Sequence, residues 1–318
     1  MKITVLDGFT LNPGDLTWDE FEKFGELEVF QRTSPAELPE RAKDSEILIT
    51  NKVVLDANTI ASLPKLKYIG VIATGYNVVD AEAAKKHGVV VTNIPAYSTM
   101  SVAQHVFALL LSVTDRPEHY ANDVKAGRWA KVRDFCFWDT PLEELAGKKF
   151  GILGMGSIGT AVSRIAQALG MDVLAYTSKD ESQLPVDVTK VSFEELLANS
   201  DVLSLHCPLL DSTRHIINPE TIAKMKDGVI LINTGRGPLV DEEAVAEALK
   251  KGKIRAFCAD VLSQEPPSED NPLVKAPNTF ITPHIAWATK EARERLMSIA
   301  ANNLQSFLEG VPMNVVNP

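Results

Sequence analysis

Three polar residues of different charge type stand just past three successive β-rich runs late in the chain. Arg236 follows "GVILIN", Glu265 follows "RAFCAD" and His284 follows "NTFIT". An arginine can hold a carboxylate through a two-pronged fork. A histidine beside a carboxylate can donate or accept a proton near neutral pH. Singly, each residue has an ordinary structural reading. The lone His284 in "FITPHIAWAT" could be satisfied in a core, and Arg236 could pair with Asp241 or Glu242 on a solvated loop. Their succession argues otherwise, because open α/β sheets bind ligands outside the carboxyl ends of their strands. Arg236, Glu265 and His284 would together bind a small acid and move a proton on it.

The elements that must place these residues form a repeating pattern. "KITVLD", "EILIT", "KYIGVI" and "GVVVTN" come first, then "KKFGILG", "MDVLAY", "DVLSLH", "GVILIN", "RAFCAD" and "NTFIT". Helix-like segments separate them, so the pattern predicts βαβ units with parallel strands buried on both faces. There are too many strands for one sheet, and the chain reads as two doubly wound α/β domains. "SVAQHVFALLLSV" predicts a helix apolar on nearly all sides, hence buried, leading from the first domain into the second. The amphipathic tail "KEARERLMSIAANNLQSFLEG" follows the last strand and is expected to return to the first domain. The expected division is 1–99 with 288–318 as one domain and 100–287 as the other. Between Asp115 and Gly147, Trp129, Phe135, Phe137 and Trp138 lie outside any strand pattern. They read equally as a partner surface or as local packing.

The window "FGILGMGSIGTAVSRIAQALG" ends a strand at Gly154, completes G-x-G-x-x-G with Gly156 and Gly159, and runs into a periodic apolar helix. The first glycine permits a tight turn, the second lets backbone approach a pyrophosphate, and the third lets helix and strand pack closely. The helix start offers N–H donors to phosphate. Strand, turn and helix occur in the order a dinucleotide site needs, and Met155, Ser157 and Ile158 complete the loop. After the next strand, an acidic residue is expected to bind the adenosine ribose of NAD. Thr177, Ser178 and Lys179 stand there instead. Without the carboxylate, a 2′-phosphate is not repelled, and Lys179 could bind it. NADP use is therefore favoured, with Asp180 reaching back to the ribose as the alternative.

Composition narrows the class. The chain has 318 residues, 45% hydrophobic and 23% charged, with a net charge of −10. Such an acidic chain, lacking a basic cluster, repels nucleic acid. No apolar run approaches the roughly 20 residues needed to span a bilayer, and "MKITVLDGFT" lacks a signal-peptide layout. Cys136, Cys207 and Cys258 form no CxxC, which suits a reducing, cytoplasmic compartment. The histidines show no metal-ligand spacing, so no metal is expected.

The chain resembles the D-isomer-specific 2-hydroxyacid dehydrogenases. The resemblance rests on "ATGYNVVD", "NIPAYSTMSVAQHVFALLL", "GKKFGILGMGSIG", "CPLLDSTRHIINPETIAKMKDGVILINTGRGPLVDEEAVAEALKKGKI", "ADVLSQEPP" and "TPHIAWAT", which span nearly its whole length. "TNKVVL" and "SVAQH" are most similar to the glycerate dehydrogenase (hydroxypyruvate reductase) branch. The resemblance implies a flavodoxin-like substrate domain interrupted by a Rossmann coenzyme domain, and a homodimer built on the aromatic arm. It implies hydride transfer between NAD or NADP and a small 2-keto or 2-hydroxy acid, with His284 as acid/base. Glu265 would stabilise the imidazolium, and Arg236 would hold the carboxylate and polarise the ketone. It places Thr74, Gly75 and Tyr76 at the substrate carboxylate, with Asn51 and Lys52 as distal contacts or simply solvated. His206, Cys207, Pro208, Thr213, Thr234 and Gly235 join the coenzyme contacts, and Asp260 is placed at the nicotinamide carboxamide. A phosphoglycerate dehydrogenase remains an alternative within the family. Formate dehydrogenases are expected to carry Gln at the Glu265 position, a departure here. A nucleotide-sensing corepressor, which would retain all three polar residues, is the alternative from a different class.

Overall fold

The computed structural model describes all residues from Met1 to Pro318. The chain divides into two compact units, one formed by Met1–Ser98 with Ala288–Pro318 and the other by Thr99–Trp287.

The first unit carries five parallel strands: β1 (Lys2–Val5), β2 (Glu26–Val29), β3 (Ile47–Thr50), β4 (Tyr68–Val71) and β5 (Val90–Thr92). Their order is β2-β1-β3-β4-β5. The order reverses between β1 and β3, so a doubly wound sheet opens its crevice there. β3 and β4 are buried on both faces. Leu48, Ile69, Val71 and Val91 pack on Leu55, Ile60 and Ala84. The helix Lys290–Leu308 belongs to this unit; Phe307 meets Tyr68 at 4.9 Å between ring centroids.

The second unit carries seven parallel strands: β6 (Lys149–Leu153), β7 (Asp172–Tyr176), β8 (Val188–Lys190), β9 (Val202–Leu205), β10 (Val229–Asn233), β11 (Ile254–Ala259) and β12 (Thr279–Ile281). The order is β12-β11-β10-β9-β6-β7-β8, with the switch point between β6 and β9. Successive residues of β10 feed different cores. Val229 and Leu231 pack on one face with Leu203, Val245 and Leu249. Ile230 and Ile232 pack on the other with Phe107, Leu110 and Val162. Burial on both faces explains why these strands read as continuous apolar runs. The helix Thr99–Thr114 buries Val102, Ala103, Val106, Phe107, Leu109 and Leu110, as its apolar sequence predicts.

β2 and β8 fall in segments where no strand was expected. Both are edge strands. Their sequences, "ELEV" and "VTK", are at least half polar, and only Val188 among their residues is fully buried.

Candidate active site

The glycine loop follows β6 at the switch point. Gly154 has φ +100, and a Cβ there would lie 2.6 Å from Cys207 N, so only glycine lets the end of β6 pass the end of β9. A Cβ on Gly159 would lie 2.2 Å from Gly154 O, so this residue sets the helix-to-strand approach. Gly156 has open space where a Cβ would project. It is the N-cap of the helix Ser157–Ala168, whose first-turn N–H groups lack intrahelical acceptors. Ser157 is exposed and Ile158 half-buried, while the Met155 side chain packs into the core and leaves its backbone at the turn.

Around this loop, Thr234 Oγ1 is a buried hydroxyl without a hydrogen-bond partner. Gly235 N is held by Asn233 Oδ1 at 3.1 Å. Past β9, His206 bonds Ser204 Oγ at 2.8 Å, and burial pushes its imidazole from the ordinary 6.5 down to about 4. Burial pushes the Cys207 thiol up to about 11. Both side chains are therefore neutral at neutral pH. Thr213 Oγ1 donates to Pro208 O at 2.7 Å and accepts from Leu210 N at 2.8 Å, so this threonine shapes the loop. The open cradle at Gly156, the helix start and the orphan hydroxyl of Thr234 together fit a dinucleotide.

Past β7, Thr177 Oγ1 accepts from Lys179 N at 3.3 Å, and Ser178 is exposed. Asp180 opens the turn Glu181–Gln183, and its N–H donates to Gln183 Oε1 at 3.0 Å. Lys190, at the end of β8, donates to Lys179 O at 2.6 Å. That brings a second ammonium to the Thr177–Lys179 segment. Lys190 is distant in sequence, and only the β7–β8 pairing brings it there.

The three polar residues all belong to this unit, at the ends of the adjacent strands β10, β11 and β12. His284 Nδ1 lies 2.6 Å from Glu265 Oε2. The reading of His284 as a satisfied core residue does not hold, since its side chain is 33% exposed. Glu265 Oε1 accepts from Leu262 N at 3.1 Å, so both its oxygens are fixed. Arg236 is exposed and donates only to the neighbouring Gly235 O, at 2.8 Å. The suggested acid partners are engaged elsewhere. Asp241 caps the helix Glu242–Lys250 through Ala244 N, and Glu242 accepts from Ser263 N and Asn271 Nδ2. A Cβ on Gly237 would lie 2.0 Å from the Leu262 carbonyl carbon. Glycine at 237 thus lets the Arg236 loop press against the loop that fixes Glu265.

Asp260 is 2% exposed. Its oxygens accept from Thr282 Oγ1 at 2.6 Å, Ile285 N at 2.8 Å and Ala286 N at 2.7 Å. These bonds tie down the loop on which His284 adopts a left-handed φ of 55°. A non-glycine residue keeps such a conformation only when its surroundings hold it there.

In the first unit, the Asp7 carboxylate accepts from Asn51 N at 2.8 Å, Lys52 N at 2.6 Å and Val53 N at 3.3 Å. Asn51 is buried, with its amide turned to Thr10 Oγ1 at 2.9 Å, whereas Lys52 is exposed. Asp7 was not singled out in the sequence; an acid just past a strand end is its only local signal. The Thr74 hydroxyl is bound to Ile94 O at 2.8 Å, and Gly75 and Tyr76 follow on a partly exposed loop.

A family model for D-isomer specific 2-hydroxyacid dehydrogenases, NAD binding domain, matches residues 107–286. The hydroxypyruvate reductase of Blautia hydrogenotrophica is 50% identical over 100% of both chains. The chain belongs to the D-isomer specific 2-hydroxyacid dehydrogenases. The glycerate dehydrogenase of Methylorubrum extorquens is 42% identical over 99% of this chain and 98% of its own. Among solved structures, an acyclic imino acid reductase (Bsp5) in complex with NADPH and D-Arg superposes with a TM-score of 0.85 at 32% identity, covering 99% of this chain and 100% of its own. This dehydrogenase is an oxidoreductase with a nicotinamide-coenzyme domain, and no helix in it is long and apolar enough to cross a membrane.

The aromatic arm divides between the two readings of its sequence. Phe137 packs locally, 4.3 Å beneath the Arg128 guanidinium and 6.0 Å from Tyr120. Trp129, Phe135 and Trp138 remain 51%, 87% and 63% exposed. His119, Asp123 and Asp139 lie close enough together to hold a cation, but Arg128 already pairs with both acids.

Proposed function

We propose that this dehydrogenase reduces hydroxypyruvate, and glyoxylate with it, to the corresponding 2-hydroxy acid, using His284 as the proton donor. The observation that carries this reading is the 2.6 Å contact between His284 Nδ1 and Glu265 Oε2, one strand end away from an Arg236 with no acid partner. With Nδ1 bound to Glu265, the His284 proton available to substrate is on Nε2. In reduction His284 passes it to the carbonyl oxygen; in oxidation the same nitrogen takes it back. Glu265 stabilises the imidazolium and fixes the ring plane. Arg236 holds the substrate carboxylate and draws charge from the ketone. When bound, the nicotinamide coenzyme supplies the hydride. The neutral His206 and Cys207 side chains place no charge beside the glycine loop at neutral pH. In the first unit, the Asp7 carboxylate fixes the backbone N–H groups of Asn51, Lys52 and Val53, and the Lys52 side chain is exposed. The full-length similarity to a hydroxypyruvate reductase supports this choice of substrate.

The reading extends to NADPH alongside NADH. No carboxylate stands at Thr177, and Lys179 and Lys190 border the segment where a 2′-phosphate would lie. The exposed Trp129, Phe135 and Trp138 are read as the two-fold interface of a homodimer, and the three free cysteines suit a reducing, cytoplasmic compartment. The test is a reductase assay on hydroxypyruvate, glyoxylate, pyruvate and phosphohydroxypyruvate, each with NADH and NADPH. Highest kcat/KM on hydroxypyruvate, with measurable NADPH turnover, is expected. A preference for phosphohydroxypyruvate would overturn the substrate assignment, and absolute NADH dependence would overturn the coenzyme assignment.

A further inference from the structure

One face of the helix Thr99–Thr114 carries Ser101 and His105, four residues apart and therefore stacked one turn above the other. Ser101 Oγ donates to Ala286 O. His105 Nε2 lies 2.9 Å from Thr282 Oγ1 and 3.7 Å from Asp260 Oδ1. Two side chains of one helix thus grip both ends of the segment carrying His284.

The Thr282 hydroxyl has one proton. Asp260 Oδ1, 2.6 Å away, takes it in preference to Ala259 O at 3.4 Å. Towards His105 the hydroxyl must therefore accept, which places the His105 proton on Nε2. The relay runs from His105 to Thr282 to Asp260, and from Asp260 to the Ile285 and Ala286 N–H groups that follow His284. Hydrogen bonds aligned in one direction polarise and strengthen each other in a dry interior. His105 and Thr282 are both mostly enclosed, and Asp260 is buried.

We propose that His105 is a positioning residue of the reductase reaction: through Thr282 it orients Asp260 and so sets the place of the His284 ring. The inference rests on the reading of His284 as the proton donor. The loop has no ladder of its own past β12, and His284 sits in a left-handed conformation that it would leave if released. Loss of the His105 donor frees one side of the Thr282 hydroxyl, lets the carboxylate turn, and loosens the Ile285 and Ala286 anchors. Misplacement of a catalytic group by about 1 Å can cost up to ~100-fold in rate. A partial loosening then gives a fall in kcat of roughly ten-fold.

The experiment compares His105→Phe, His105→Gln, Thr282→Val and the double variant His105→Phe/Thr282→Val in steady-state hydroxypyruvate reduction, with melting temperatures alongside. His105→Phe and Thr282→Val should each lower kcat about ten-fold, with KM for the keto acid within about two-fold. The double variant should be no slower than either single one, because both cut the same relay. His105→Gln, which keeps an N–H donor, should recover kcat to within about three-fold of wild type. Unchanged kcat in His105→Phe, multiplying losses in the double variant, or losses that simply follow the melting temperatures would overturn the proposal. If His105→Phe does not fold, Thr282→Ser against Thr282→Val decides: equal kcat in the two removes the relay. His284→Ala is run in parallel. Full activity there sinks the proton-donor reading itself, whereas an inactive His284→Ala beside a normal His105→Phe sinks only the role of His105.

Discussion

At the scale of single residues, the chemistry depends on which groups are already committed. Arg236 stays available because Asp241 caps a helix and Glu242 binds the Ser263–Asn271 loop. A lysine keeps the charge at 236 but not the planar fork. Arg236→Lys should therefore raise KM for the keto acid by roughly ten- to hundred-fold, the loss of about 1.4–2.7 kcal/mol of binding, and leave coenzyme affinity unchanged. Initial-rate kinetics with separate coenzyme titration checks this. His206 makes a different prediction. Its folded value, about 4, lies below the ordinary 6.5, so between these values the unfolded chain takes up a proton that the folded one refuses. Stability contributed by the neutral ring is complete above 6.5 and falls as pH drops towards 4, by at most about 1.4 kcal/mol per pH unit. The fall in melting temperature of the coenzyme-free protein between pH 7.5 and 5.5 should be smaller in His206→Asn. The strand-end placement of Arg236, Glu265 and His284 was legible in the sequence because each follows a recognisable strand. The work of Asp260 was not, since its partners Thr282, Ile285 and Ala286 come from the next strand's loop and meet it only through β11–β12 pairing.

At the scale of elements, the glycine loop separates two functions that the motif alone runs together. Gly159 is required by the fold, because a methyl group would collide with Gly154 O. Gly156 faces open space and has an ordinary φ of −74°. Gly156→Ala should therefore melt within a few degrees of wild type while binding coenzyme at least ten-fold more weakly, about 1.4 kcal/mol. Gly159→Ala should lose stability by about 1–3 kcal/mol, typical of overpacking. Calorimetry and coenzyme fluorescence titration on both variants separate the cases. Ten of the strands could be read from the sequence because each contains or adjoins a run of apolar, β-rich residues, most of them buried. β2 and β8 could not, because edge strands with polar faces resemble loops. Lys190 went unrecognised beside Lys179 for the same reason, since it belongs to the unrecognised β8.

At the scale of the whole molecule, the two units have the two doubly wound strand orders, one reversing between β1 and β3 and the other between β6 and β9. The arm from Pro117 to Trp138 adds an apolar surface held by a polar scaffold. Arg128 ties Asp123 to Asp139, His119 meets Asp139 at 3.0 Å, and the exposed rings project beyond them. On the proposed two-fold interface one substitution acts twice, so that proposal predicts a shift in sedimentation from dimer to monomer at micromolar concentration for Phe135→Glu or Trp138→Glu. A wild type that sediments as a monomer at all concentrations would contradict the interface. The sequence left the arm undecided because exposure, unlike periodicity, is set by which neighbours arrive from elsewhere in the chain. Phe137 and Phe135 are two residues apart, yet one is covered by Arg128 and the other is open.

The most direct measurement is the single-turnover rate of hydroxypyruvate reduction by wild type and His284→Ala at saturating coenzyme. General acid catalysis contributes roughly 10²–10⁴ in rate. The variant should lose a factor in that range while binding coenzyme normally. A His284→Ala protein that reduces hydroxypyruvate within a few-fold of the wild-type rate would contradict the assignment of the proton donor.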